Sequence, residues 1–123
     1  MGHILIVEDS EESRELLADL LTSRGYGVRT APNGQVALEQ MRQSEAPQLV
    51  LLDLTMPVMN GWQLYAAMRE DPRLKEVPVV IISAADSLVV PKGCQGVIPK
   101  PIEVELLLAI VRHYLGERAE VAS

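Results

Sequence analysis

Apolar residues along this chain fall into two alternating textures. Short unbroken runs (ILIV, LVLL, VVII) are separated by longer stretches in which leucine, valine and alanine recur every three or four positions. An unbroken run suits a strand covered on both faces, and the wider spacing suits a helix buried along one side. Residues 4–8 (ILIVE) read as the first strand. Ser10 or Asp9 can then cap a helix carrying Leu16, Leu17, Leu20 and Leu21 and ending at Arg24-Gly25. Val28–Ala31 is a short strand, and Asn33-Gly34 opens a second helix with Val36, Ala37, Leu38 and Met41, bounded by Pro47. Leu49–Leu52 is a buried strand that delivers Asp53. Asn60 can cap a third helix through Trp62, Leu64, Tyr65 and Met68, stopped near Asp71-Pro72. Val79–Ile82 leads to Ser83, Gly96–Ile98 leads to Lys100, and a last helix runs from about Ile102 to Leu115 with Gly116 as its stop.

Strict alternation of strand and helix predicts an α/β fold: a doubly wound parallel sheet with helices on both faces. Such sheets gather the carboxyl ends of their strands along one edge, where ligands bind. Glu8-Asp9, Asp53 and Lys100 each follow directly on a strand run, so they converge there as three carboxylates and one ammonium. Clustered carboxylates repel one another, which raises a pKa or recruits a cation. The set predicts a site for a hard divalent metal and a phosphoryl group.

Composition narrows the classes. At 123 residues the chain makes one domain with one well-buried core. No apolar stretch approaches the ~20 residues that span a bilayer, and no secretory signal is apparent, so neither a membrane nor export is expected. Cys94 is the only cysteine, which excludes an internal disulfide and fits a reducing cytoplasm. A formal charge of −6 argues against nucleic acid. His3 and His113 lie far apart with no second cysteine, which argues against zinc.

The acidic pair Glu8-Asp9, the segment DLTMPVMNG from Asp53 to Gly61, Ser83-Ala84 and Lys100-Pro101 together resemble the receiver domain of two-component response regulators. The likeness covers essentially the whole chain. It implies a flavodoxin-like (βα)5 fold with a five-stranded sheet in the order 2-1-3-4-5. It gives residues 1–118 as the receiver domain, with 119–123 a flexible tail. Asp53 then becomes the phosphoacceptor, taking a phosphoryl group from the phosphohistidine of a sensor histidine kinase or a histidine phosphotransfer protein. Mg²⁺ would be held by Asp9, Asp53 and the backbone carbonyl of Thr55, with Glu8 acting through water. Lys100 and Ser83 would stabilise the phosphoryl oxygens, and the Lys100-Pro101 bond would be cis. Such a domain modifies itself and then alters its binding to a downstream protein; it is not a turnover enzyme.

Against each role stands a plainer one. Asp53 could be a turn residue, Glu8 and Asp9 helix-capping acids, Lys100 a solvated loop lysine and Ser83 a helix cap; Met56, Met59 and Trp62 read as packing residues. Two departures from the family pattern stand out. Where the family places Tyr or Phe three residues before the lysine, a switch position, this chain has Val97, which has no ring to swing inward. Ser83 and Lys100 are also closer together than usual by more than a helical turn, so the fourth helix is short or missing. On the last helix, Val104, Leu107, Leu108, Val111 and Leu115 form a core-facing stripe. Leu106 and Ile110, with Leu88, Val89 and Val90 nearby, mark a homodimer or partner surface. The competing reading is a phosphorylation-independent interaction module with an atypical switch face. A stand-alone regulator, a relay intermediate and a domain of a longer protein all stay open. A nucleotide-binding enzyme fits less well, because EDSEES rather than a glycine-rich loop follows the first strand.

Overall fold

The computed structural model describes residues 2–53, 61–83 and 93–116, with Ser83 described through its backbone. Five strands occur in chain order: β1 (Ile4–Val7), β2 (Val28–Ala31), β3 (Leu49–Asp53), β4 (Val79–Ser83) and β5 (Gly96–Pro99). They pair in parallel as β2-β1-β3-β4-β5, the expected order. Four helices accompany them among the described residues: α1 (Glu11–Ser23), α2 (Gly34–Gln43), α3 (Gly61–Glu70) and α4 (Val104–Leu115). The segment expected to hold a reduced fourth helix, the loop residues Leu88, Val89 and Val90 within it, the Asn60 cap and the tail lie outside the described residues.

Side chains of a strand point alternately to the two faces of its sheet, and the core divides accordingly. Leu5, Val7, Val50, Leu52, Val79 and Ile81 pack with Ala37, Leu38 and Met41 of α2 and with Leu64, Tyr65 and Met68 of α3. Ile4, Ile6, Leu49, Leu51, Val80, Ile82 and Ile98 pack with Leu17 and Leu21 of α1 and with Leu107, Leu108, Val111 and Leu115 of α4. The strand runs are unbroken hydrocarbon because both faces are covered.

Each helix begins and ends for local reasons. Between the two candidates, Ser10 caps α1: its hydroxyl accepts from the Ser13 N–H at 3.3 Å. Asn33 caps α2 by accepting from Val36 at 2.9 Å. Gly25, at φ 91°, lets the chain leave α1 in the left-handed region. At the far end of α4 the Tyr26 hydroxyl donates to the Gly116 carbonyl and the Gln48 amide to that of Tyr114, fastening the helix to the sheet.

Three positions depart from the apolar pattern. Leu16 and Val104, which share helical spacing with buried neighbours, are 65% and 44% exposed. Trp62, expected to pack, is 40% exposed on the first turn of α3. An α-helix turns about 100° per residue, so a stripe of four leucines is wider than the strip of helix the sheet covers. Leu17 and Leu21 occupy that strip, and Leu16 falls beside it. Ile110 also differs from expectation: it is half-buried against the α1/α4 core, whereas Leu106 is 38% exposed. The structure therefore predicts unequal losses on α1. In denaturant unfolding, Leu21→Ala should lose about 2–5 kcal/mol, whereas Leu16→Ala should stay within about 0.5 kcal/mol of the parent.

Candidate functional site

The strand period that builds the core also aims the charged residues. On β1, Ile4 and Ile6 face α1 and α4, and Glu8 is next in that series. On β3 the same face carries Leu49 and Leu51, followed by Asp53. The register sets Ile4 beside Leu49 and Ile6 beside Leu51, so continuing it by one repeat brings Glu8 beside Asp53. Asp53 pairs in turn with Ile82, and Ile82 with Ile98. Lys100 lies one repeat beyond Ile98 on the same face and spans the width of β4, so its long stem can reach back across the rim. The peptide bond that follows it, Lys100-Pro101, is cis.

The resulting contacts are close and mostly buried. Lys100 Nζ lies 3.7 Å from Glu8 Oε2 and 3.8 Å from Asp53 Oδ2. Both distances exceed the 2.7–2.9 Å typical of a charge-assisted hydrogen bond, so the ammonium acts as a shared point charge between two acids. Glu8 and Asp53 are buried, whereas Asp9 is exposed at the mouth of the site. One carboxylate oxygen from each of Glu8, Asp9 and Asp53 can be chosen so that all lie within 4.8 Å of one another.

Burial raises the Glu8 carboxyl from 4.5 to about 7, helped by a hydrogen bond to Asp53 and by the Asp53 charge. The Lys100 charge and the Ser10 N–H oppose that rise without cancelling it. Glu8 Oε2 is also buried without a hydrogen-bond partner among the described residues. Such an oxygen is costly to leave unsatisfied. Three clustered carboxylates, two of them beside the Lys100 ammonium, fit a hard divalent cation such as Mg²⁺, which binds through one or two carboxylates and completes its shell with water.

Of the residues named from sequence, Glu8, Asp9, Asp53 and Lys100 come together. Ser83 ends β4 opposite Pro99 in the register, while its side chain, like Thr55, Met56 and Met59, lies outside the described residues. Val97 is 42% exposed on edge strand β5, on the sheet face opposite Ile98. Leu106 lies exposed on the first turn of α4.

Sequence reasoning missed two features. Arg14 on α1 donates from Nη1 to the Glu8 main-chain carbonyl at 2.9 Å. It is the only basic residue between Glu8 and Ser23, an isolated cation within an acidic stretch. The second is a groove of about 340 Å³ beside the site, lined by Leu16, Leu17, Leu20, Ile102 and Val104 and reaching Glu8 and Lys100 at one end. Apolar spacing alone could not reveal it, because its outer walls are Leu16 and Val104, which that spacing assigns to the core.

With fold and site in view, comparison with known proteins places the chain. Residues 4–112 match the model of the response regulator receiver domain, and the chain belongs to that family. Among curated proteins it is similar to the polar-differentiation response regulator DivK of Brucella anthropi, 30% identical over 93% of this chain and 96% of that one. Among solved structures it resembles the chemotaxis response regulator CheY4 of Vibrio cholerae, with a TM-score of 0.81 and 28% identity over 94% of this chain and 99% of that one. It also resembles the N-terminal domain of a response regulator/sensory box/GGDEF three-domain protein from Carboxydothermus hydrogenoformans. There the TM-score is 0.82, with 30% identity over 93% and 94% of the two chains.

The raised Glu8 carboxyl gives the metal-free protein a defined pH dependence. A folded-state pKa above the unfolded value favours folding at low pH, and that contribution disappears as pH rises from 4.5 through about 7. Denaturant unfolding in chelator should show Glu8→Gln losing this slope, a difference on the order of 3 kcal/mol across the window. Parallel pH profiles for the two proteins would contradict it.

Proposed function

We propose that this receiver domain is a Mg²⁺-dependent phosphoacceptor in which Asp53 takes the phosphoryl group. The observation that carries the reading is the junction of Glu8, Asp9 and Asp53 with the Lys100 ammonium at one rim. In the transfer, an Asp53 carboxylate oxygen attacks phosphorus of a phosphohistidine. The N–P bond breaks, its electron pair returns to the imidazole, which takes up a proton, and an acyl phosphate forms on Asp53. Asp9, Asp53 and the Thr55 carbonyl would hold Mg²⁺, with Glu8 behind them. Bound there, the ion supplies the positive charge that lets an anionic donor approach three acids. Lys100 releases Asp53 and pairs with a phosphoryl oxygen, and the Ser83 hydroxyl donates to another. The chemistry modifies the domain itself, so the protein acts as a signalling module rather than a turnover enzyme.

Residues 1–118 form this domain and 119–123 a tail, and the setting is cytoplasmic. The donor is a sensor histidine kinase or a histidine phosphotransfer protein. It would rest an apolar helix along the groove of Leu16, Leu20 and Val104, within reach of Asp53. Output passes to a downstream protein, and Leu106 with the partly packed Ile110 offers a face for it or for a homodimer. Sedimentation tests that face, since Leu106→Lys leaving association unchanged would remove it. The exposed Val97 supports a second reading, an interaction module independent of phosphate, because an aliphatic side chain there cannot act as a swinging ring.

Incubation with acetyl phosphate, read by intact mass, separates the two. The phosphoacceptor reading predicts a single phosphate adduct that requires Mg²⁺ and is lost in Asp53→Asn. It also predicts that Leu16→Lys slows transfer from a phosphorylated donor protein and leaves acetyl phosphate labelling intact. No adduct under any condition would favour the interaction module.

A further inference from the structure

Asp9 differs from the other acids of the site. Glu8 and Asp53 are set by strands and by the Lys100 ion pairs, but Asp9 is exposed, on the turn between β1 and α1. Among the described residues no hydrogen bond or ion pair holds its carboxylate, so there the backbone that carries it sets its place. That backbone is held on both sides by one residue. The Arg14 guanidinium donates to the Glu8 carbonyl at 2.9 Å, and the Arg14 main-chain N–H donates to the Ser10 carbonyl at 2.9 Å. Asp9 is the single residue between those two carbonyls.

The side-chain contact falls at the end of the ladder. Val7 is the last residue of β1 in register with β2 and β3. The Glu8 N–H still reaches the Ala31 carbonyl at 3.1 Å, while the Glu8 carbonyl is taken by Arg14. A peptide unit is planar, so fixing the Glu8 carbonyl also fixes the Asp9 nitrogen and limits where its Cα can lie. The guanidinium is part-buried and sits on a helix anchored by Leu17 and Leu21, so the tether is rigid.

We propose that Arg14 is a positioning residue for the metal-binding acids: its hydrogen bond to the Glu8 carbonyl presets the turn that presents Asp9. The inference rests on the Mg²⁺ reading of the site. Groups that orient metal ligands from behind change affinity without touching the ion. Arg14 does so through the main chain, and its charge need not meet the phosphodonor.

The test compares Arg14→Met, which keeps the length and loses the donor, with Arg14→Lys, which restores one donor. Mg²⁺ affinity is measured by calorimetry on the whole chain, beside metal-free unfolding. Arg14→Met should weaken Mg²⁺ binding about tenfold, and Arg14→Lys should recover most of the loss. Acetyl phosphate labelling of Arg14→Met should need more Mg²⁺ for half-maximal rate and reach the parental rate at saturation. Arg14→Met binding Mg²⁺ as the parent does would overturn the inference, as would a lower rate persisting at saturating Mg²⁺. A parent chain that binds no Mg²⁺ would defeat the functional reading and this inference with it. Parent binding with an indifferent Arg14→Met defeats the inference alone.

Discussion

Repulsion among Glu8, Asp9 and Asp53, compensated in part by Lys100, is the constraint around which this rim is organised. Two of the acids are buried at the ends of strands made otherwise of hydrocarbon, where an isolated charge is expensive. One ammonium at 3.7 and 3.8 Å offsets part of three negative charges and cannot neutralise them. Burial first, and then the hydrogen bond to Asp53 and its charge, hold the Glu8 carboxyl up, and one of its oxygens has no hydrogen-bond partner among the described residues. A protein selected for stability alone would have little use for such a cluster. Under the proposed function, uptake of a cation and then of an anionic group would turn this crowding of acids to use.

The sheet makes this arrangement possible without special local structure. Parallel register puts Glu8 beside Asp53, and the two-residue period keeps Glu8, Asp53 and Lys100 on one face. The helices of that face, α1 and α4, close the core below and leave the apolar groove above. The buried strands therefore act as rulers, and the charged residues lie at their ends or one residue beyond. Asp9 is outside this scheme because it belongs to the turn, which is why a side chain from the next helix has to hold it.

Much of this was legible in the residues themselves. Unbroken apolar runs against spaced ones identified five strands and the four described helices, and the charged residues after the first, third and fifth strands pointed to one rim. The sheet order came from resemblance, since periodicity is silent on which strands are neighbours. Helical spacing grouped Leu16 with Leu17 and Leu21, and Val104 with Leu107 and Leu108, because it reports a face and not the width of the surface that covers it. Trp62 looked like core for the same reason: size and apolarity say nothing about a partner. Arg14 was invisible because its function depends on a backbone carbonyl, a group that every residue has and no sequence pattern marks. Val97 was readable as the absence of a ring, and the structure adds that the position is exposed on the edge strand.

If charge crowding governs the rim, deleting one acid should help the empty fold even as it harms the loaded one. Denaturant unfolding of Asp53→Asn against the parent, in chelator at mildly alkaline pH, measures this directly. A higher midpoint for the variant, together with loss of the stabilisation that added Mg²⁺ gives the parent, is the predicted result. A lower midpoint in chelator would mean that Asp53 serves the fold as an ordinary ion-pair partner of Lys100, and would contradict the account.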